Sequence, residues 1–272
     1  MRKIENTIYL SETDKDLVSV GFSKREIKNH KGISGLKYYL IVMYLRKHVQ
    51  TFGQVYMTLN DLLKECGYST KSNNKSIYSD FREIIKTEII NKGYATCSVD
   101  IFVVKPTDMF YLQLSSENNI FFANDSFVRI TISEYEQLCS STKKMNKSVL
   151  FGIYMFIKQF IMDYQDDVCP VKISFPSKKQ IAKGISTSIQ TVESGLDILE
   201  SMKLIYIRRD MFVENRNIDG EYVPTRNVFA LDKKELENNS VLIELERVYG
   251  KRIYNKKDVP GKINYLAKVK GD

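Results

Sequence analysis

The sequence holds four cysteines and two histidines in 272 residues. Cys66, Cys97, Cys139 and Cys169 stand far apart with no C-x-x-C spacing, and only His30 and His48 could join them. That is a poor donor set for zinc, so no metal site is expected. Scattered cysteines without a framework fit reduced thiols and a cytoplasmic setting. Long apolar runs are also missing. The longest, Ser148–Met162, is interrupted by Lys158 and Gln159 and falls short of the roughly 20 residues that a bilayer span needs. A buried core helix is expected there, with no membrane partner. Met1–Leu10 has no apolar stretch of signal-peptide length.

Catalytic motifs are missing as well. No G-x-x-x-x-G-K-S/T occurs, and Gly261-Lys262 lacks the earlier glycine, which excludes a Walker-type nucleotide site. Two histidines in separate contexts cannot supply the paired ligands of a metal-dependent rolling-circle nickase. Tyr38, Tyr39, Tyr44 and Tyr154 lie on apolar helix faces and read as core rather than as nucleophiles. Asp166-Asp167 has no second carboxylate cluster with which to build a two-metal site. No catalytic residue, no cofactor and no enzymatic activity are expected.

What is present is an ordinary globular composition, 43% hydrophobic and 27% charged, in a chain long enough for two cores. The formal charge is +8 and the pI near 9.1, which favours an anionic partner, usually nucleic acid. The excess is uneven. Residues 1–50 carry ten Lys/Arg against five Asp/Glu, residues 51–250 carry 24 against 26, and residues 251–272 carry seven against two. The body of the chain is therefore nearly neutral, and a binding face there must come from local arrangement.

One plan of elements occurs twice. An apolar helix, Leu36–Val49, is followed by a short helix, Thr58–Cys66, with Thr58 as its cap. A polar turn, Gly67–Asn74, then leads to a long amphipathic helix, Lys75–Asn91. Gly93 stands where a helix end favours positive φ. Two β-like runs follow, Tyr94–Val104 and Met109–Leu114. The second stretch opens with the apolar helix Lys147–Met162. It continues with Ser177 capping Lys178–Lys183, the turn Gly184–Ser188 and the helix Ile189–Lys203. A strand Leu204–Phe212, a hairpin tip Val213–Pro224 and a returning strand Arg226–Leu231 complete it. Helix, helix, turn, helix and hairpin is the plan of a winged helix.

The second stretch carries the sharper pattern. Ile181-Ala182, Ser188-x-x-Thr191-Val192, Leu196, Leu199 and Leu204-Ile205 keep the spacing of a helix-turn-helix, with Asn227-Val228-Phe229 and Leu231 closing the hairpin. This segment of about 55 residues resembles the helix-turn-helix of bacterial winged-helix proteins. Ala182 suits a close helix crossing, and Ser188 can cap the following helix. Ser186 stands where a turn glycine is common. Two such units in one chain resemble the replication initiator proteins of plasmids and phages. The resemblance implies an α+β, mainly α fold of two tandem winged-helix domains, each a helix-turn-helix followed by a β-hairpin wing. It implies double-stranded DNA as the partner, together with a second copy of the chain and host replication proteins. A transcriptional regulator of a mobile element and a winged-helix protein-interaction module without DNA binding fit the same pattern.

Candidate DNA contacts follow from donors near the helix starts. In the first unit, Lys75, Ser79, Arg82 and Lys86 recur at i, i+4, i+7 and i+11, a stripe about 16 Å long if the helix is regular. The turn before it adds Lys71, Asn73 and Asn74. A plain solvated face paired to its own acids, such as Glu83 with Lys86, is the competing reading. In the second unit the candidates are Ser188, Gln190, Thr191 and Ser194 on the helix, Lys178, Lys179 and Lys183 before it, and Arg208, Arg209 and Arg216 on the wing. Glu193, Asp197 and Glu200 lie on the same outward face and repel phosphate. The expected division is a basic lead segment 1–30, a first winged helix 31–116, a linker 117–126, a second winged helix 127–235 and a basic tail 236–272. Lys24, Arg25, Lys28 and Lys31 in the lead, and Lys251, Arg252, Lys256, Lys257, Lys262, Lys268 and Lys270 in the tail, are expected to attract phosphate or to remain solvated.

Overall fold

A computed structural model describes residues 18–71, 75–117, 119–121, 127–142, 144–163 and 172–265. Asn73, Asn74, Asp166, Asp167, Cys169, Lys268 and Lys270 lie outside the described residues. The chain is mixed α and β, with several small sheets, and divides into two compact units, residues 1–152 and 153–272.

The first unit opens with strand β1 (Ser19–Ser23) and helix α1 (Lys24–Asn29). Ser23 and Glu26 form a capping box: Ser23 Oγ accepts from the Glu26 N–H, and Glu26 Oε2 accepts from the Ser23 N–H. Helix α2 (Gly32–His48) follows, then β2 (Gln54–Met57) and α3 (Leu59–Glu65), with Thr58 capping α3 as expected. Leu36–Leu45 of α2 are buried without interruption, because other elements pack around every side of the helix. Lys37, 3% exposed, is held inside by an ion pair with Asp80. Asp80 lies on α4 (Lys75–Ile84), which continues as a π-helix, Ile85–Ile90. Gly93 ends this segment at φ +74°, as expected. Strands β3 (Ala95–Cys97) and β4 (Phe110–Leu114) complete a three-stranded sheet of order β2-β4-β3.

The lead segment and the linker are not what the charge pattern suggests. β1 is buried along its whole length and pairs antiparallel with β5 (Phe127–Thr131), Val20 opposite Ile130 and Phe22 opposite Val128. Phe22 meets Tyr39 of α2 edge-on at 5.0 Å. Ile120 and Phe121, within the expected linker, are buried, and the Phe121 carbonyl accepts from the Gly21 N–H at 2.8 Å. Strand β5 and helix α5 (Ile132–Ser140, capped by the Thr131/Glu134 box) belong to the first unit and do not open the second. The reason is local alternation: Val20/Phe22 and Val128/Ile130 each need a strand partner to cover their backbone.

Helix α6 (Lys147–Asp163) spans the boundary between the units. It is the apolar helix expected from Ser148–Met162, with Leu150, Ile153, Tyr154 and Ile157 all at 1% exposure or less. Among the described residues no helix is long and apolar enough to cross a membrane. The second unit continues with β6 (Ile173–Ser174), α7 (Lys178–Ile185), α8 (Ile189–Ser201) and β7 (Tyr206–Arg208). Then come β8 (Met211–Glu214), β9 (Glu221–Pro224) and β10 (Val228–Ala230). The sheet order β6-β10-β7 matches β2-β4-β3 of the first unit. Counting only the strands of these two sheets, both units share the order helix, strand, helix, helix, strand, strand, with the last strand central; in the second unit the β8–β9 hairpin is inserted between β7 and β10. The short strands β2 and β6 went unread in the sequence because four and two residues carry too little periodicity.

The second hairpin is larger than its sequence suggests. Residues 213–214 and 221–224, expected as a turn tip, extend β8 and β9, and only 215–220 form the tip. The expected tail is also structured. It forms α9 (Lys233–Glu237), α10 (Ser240–Tyr249), β11 (Ile253–Asn255) and β12 (Lys262–Ile263). β11 pairs antiparallel with β8, and β12 pairs parallel with β9, giving a second sheet of order β11-β8-β9-β12. Val213, Val223 and Ile253 share one face of it and join Val241 and Leu245 of α10 in a continuous core. A hairpin of two four-residue strands alone exposes two strand edges, and the C-terminal chain covers both.

Candidate nucleic-acid interface

The helix pair α7–α8 is built as its sequence indicates. Ser177 and Gln180 form a capping box at the start of α7. Ile181, Ala182 and Ile185 are buried, and Gly184 lets α7 approach the Phe156 ring so closely that a Cβ would stand 2.0 Å from it. Ser186 ends α7 in the left-handed region, φ 56° and ψ 57°, so the serine adopts the glycine-like turn that its position requires. Val192, Leu196 and Leu199 of α8 are buried, as expected. At its start, Ser188 Oγ accepts the Thr191 N–H at 3.0 Å and contacts Thr191 Oγ1 at 2.8 Å. Both hydroxyls therefore belong to the cap. Gln190 and Ser194 are exposed, and Ile189 beside them is 46% exposed.

The acids of α8 are answered within the unit. Lys178 pairs with Glu193 at 2.7 Å. Arg209 makes two parallel hydrogen bonds to Glu200, at 3.0 and 2.8 Å, and reaches Asp197 at 3.8 Å. Lys178 and Arg209 are thus neutralising partners of the helix before they are anything else, while Lys179 and Lys183 remain exposed. Arg216 sits exposed at the tip of the β8–β9 hairpin. Arg208 is not a surface donor. Its guanidinium donates to the Leu236 carbonyl at 2.8 Å, to Asn255 Oδ1, and to Asp210 at 3.3 Å, tying β7 to α9 and β11. The polar acceptors that claim it come from the C-terminal segment, which no local sequence signal placed there.

The first unit's stripe does not hold as drawn. Lys71, Lys75 and Ser79 are exposed. Arg82 turns inward, donates to the Val104 carbonyl at 2.6 Å and keeps its Nε buried. Beyond Ile84 the backbone changes from α to π geometry, so each turn takes up more residues and Lys86 leaves the line of Lys75 and Ser79. Lys86 lies instead in an open groove of 1390 Å³, lined also by Arg46, Phe52, Ile101, Phe102 and Phe121. The π segment is held from α1: His30, stacked on Tyr38 at 4.0 Å, contacts Glu88 at 2.8 Å through Nε2, and Lys92 bonds the same carboxylate. Burial raises the Glu88 carboxyl, but the hydrogen bonds from Lys92 and His30 outweigh it and hold the group below its ordinary value. The hairpin loop of this unit is apolar, with Val99 45%, Phe102 47%, Val103 74% and Met109 66% exposed, near Phe52 at 84%.

Tyr38, Tyr39, Tyr44 and Tyr154 are buried, as their helix faces implied. Burial pushes the Cys66 thiol well up and the Cys139 thiol to about 12, the Glu65 carboxylate adding to the latter, so both stay protonated at neutral pH. Among the described residues no three His, Cys, Asp or Glu side chains are grouped to hold a metal ion. Compared with known proteins, the chain matches no family model and no curated protein.

Proposed function

We propose that the chain is a sequence-specific double-stranded DNA-binding protein built of two winged-helix units, serving a plasmid or phage as its replication initiator. The observation that carries this reading is the three-stranded sheet that each unit builds around its helices, of order β2-β4-β3 and β6-β10-β7 with its last strand central, the β8–β9 hairpin being inserted between β7 and β10 of the second; helix, strand, helix, helix, strand, strand is the plan of a winged helix. The buried Ile181, Ala182, Val192, Leu196 and Leu199 and the Ser188 cap of the second unit support the same reading. Helix α8 is then the recognition helix, with Gln190 and Ser194 at base edges and Lys179 and Lys183 on backbone phosphate. The pairing of Glu193 with Lys178 and of Glu200 with Arg209 supports the same reading, because it removes most of the charge that would repel DNA. As an initiator, the protein would bind origin repeats and recruit host replication proteins by contact, with no catalytic step and no cofactor of its own.

A second reading applies to the first unit. Its inward Arg82, broken stripe and apolar hairpin loop favour protein contact, with a second copy or a host protein, over base reading. A gel-shift series against the intergenic DNA of the chain's own genetic element, followed by footprinting, tests the proposal. Protection of tandem repeats inside an origin is the expected result. A protected promoter operator would make the protein a transcriptional regulator of the element instead. Absence of any retained DNA at low salt would refute both and leave a protein-interaction module.

A further inference from the structure

The β11-β8-β9-β12 sheet has two dissimilar faces. Val213, Val223 and Ile253 point into the core, so by strand alternation Phe212, Tyr222 and Tyr254 occupy the other side. That side is a layer of rings. Tyr222 meets Tyr254 edge-on at 5.3 Å, and Phe212 meets Tyr265 edge-on at 5.9 Å. Tyr222 and Phe212 are buried, whereas Tyr265 is 59% exposed. Each outer ring carries a cation: the Arg252 guanidinium lies 5.3 Å from the Tyr254 ring, and Lys256 Nζ lies 5.7 Å from the Tyr265 ring.

Two acids around this sheet are ion-paired, Glu214 with Lys251 and Asp210 with Arg208. Glu221 accepts from the Asn215 and Asn264 amides, Asp258 from the Asn255 amide and Glu246 from the Ile253 N–H, contacts that hold these carboxylates without cancelling their charge. Asp219 is exposed at the hairpin tip. Arg252 and Lys256 are held differently. A ring orients a cation without cancelling its charge, as a carboxylate would. Two cations are thus fixed in place, with their charge unspent, on a sheet whose tip carries the exposed Arg216.

We propose that the C-terminal segment 251–265 is part of the DNA-binding surface, and that Arg252 and Lys256, held on Tyr254 and Tyr265, bind backbone phosphates of duplex DNA. This rests on the DNA-binding reading above and extends it. A wing that would be a free two-stranded hairpin is stiffened by β11 and β12, and the same strands deliver its phosphate ligands. Ring-held cations lose less side-chain freedom on binding than free lysines do.

The test uses the full chain and duplex DNA carrying the footprinted site. Kd is measured from low to moderate salt for the wild type, for Arg252→Gln with Lys256→Gln, and for the control Lys233→Gln with Lys234→Gln on α9. Each phosphate contact contributes about 0.9 to the slope of log K against log salt, so the first pair should lower that slope by about 2 and the control should leave it unchanged. Melting curves confirm folding, and the charge-conserving Arg252→Lys with Lys256→Arg should restore most of the slope. A wild-type slope retained by Arg252→Gln with Lys256→Gln would overturn the proposal while leaving DNA binding intact. An equal loss in the control would also overturn it, by reducing the effect to net charge. A wild-type protein that retains no DNA would refute the underlying reading as well.

Discussion

Replacing Arg208 by alanine separates a clamp from a DNA contact. Arg208 donates to the Leu236 carbonyl and to Asn255, and pairs with Asp210. Hydrogen bonds from a charged donor each contribute about 1.5–3 kcal/mol net. The Asp210 side chain is 59% exposed, so that pair adds only about 0–1 kcal/mol. The arginine itself keeps 20% exposure, which places the two remaining bonds at the lower end of their range. The expected loss is about 3 kcal/mol, or roughly 10 °C in melting temperature for a unit of this size. Arg208→Lys, with one donor centre and no fork, should recover less than half. Urea unfolding followed by circular dichroism measures the loss. Amide exchange at Ile253–Asn255 should speed up, because β11 loses its anchor. If Arg208→Ala unfolds within about 0.5 kcal/mol of the wild type while DNA affinity drops tenfold, the clamp argument is wrong and the residue is a DNA ligand.

Three further outcomes are expected. Ser186→Gly, at φ 56°, should stabilise the second unit by about 0.5–1 kcal/mol, since an L side chain is strained there and glycine is not; a melting temperature below wild type would contradict this. Glu88 has a carboxyl held below its ordinary value, so the stability it contributes is full above its unfolded pKa, about 4.3, and is lost as pH falls through the folded value. The stability gap between wild type and Glu88→Gln should therefore be widest at neutral pH, begin to narrow below the unfolded pKa of about 4.3 and close as pH falls through the lowered folded value, and a gap independent of pH would count against the His30–Glu88–Lys92 arrangement. Arg209→Ala should weaken DNA binding roughly three- to tenfold at low salt by uncovering Glu200 and Asp197, and adding Glu200→Ala should return part of it; no change in either variant would place that end of α8 away from DNA.

Much of the secondary structure was legible in local pattern. The buried face Val192, Leu196 and Leu199, the caps at Thr58, Ser177 and Ser188, and the end at Gly93 all lie where spacing and cap chemistry put them, because each depends on neighbours within one or two turns. The apolar runs at Leu36 and Ser148 read as core for the same reason. The candidate site was legible only in part. Gln190, Ser194, Lys179, Lys183, Lys75 and Ser79 are exposed, as a helical wheel places them. Arg82 and Arg208 are not, although their sequence context looks equally polar.

By itself, the sequence determined the repeated helices, their buried faces, their caps and the near-neutral charge of the body. Only tertiary structure decided the remainder, because it depends on partners distant in the chain. Strand β1 is a strand because β5, about a hundred residues later, pairs with it. Arg82 is spent on the Val104 carbonyl and Arg208 on Leu236 and Asn255. The lysine-rich C-terminal segment, which composition alone leaves between attracting phosphate and staying solvated, forms β11 and β12 because the β8–β9 hairpin presents two open edges that they close. A charge count cannot see an unpaired strand edge, and in this protein that edge decides where the C-terminal cations stand.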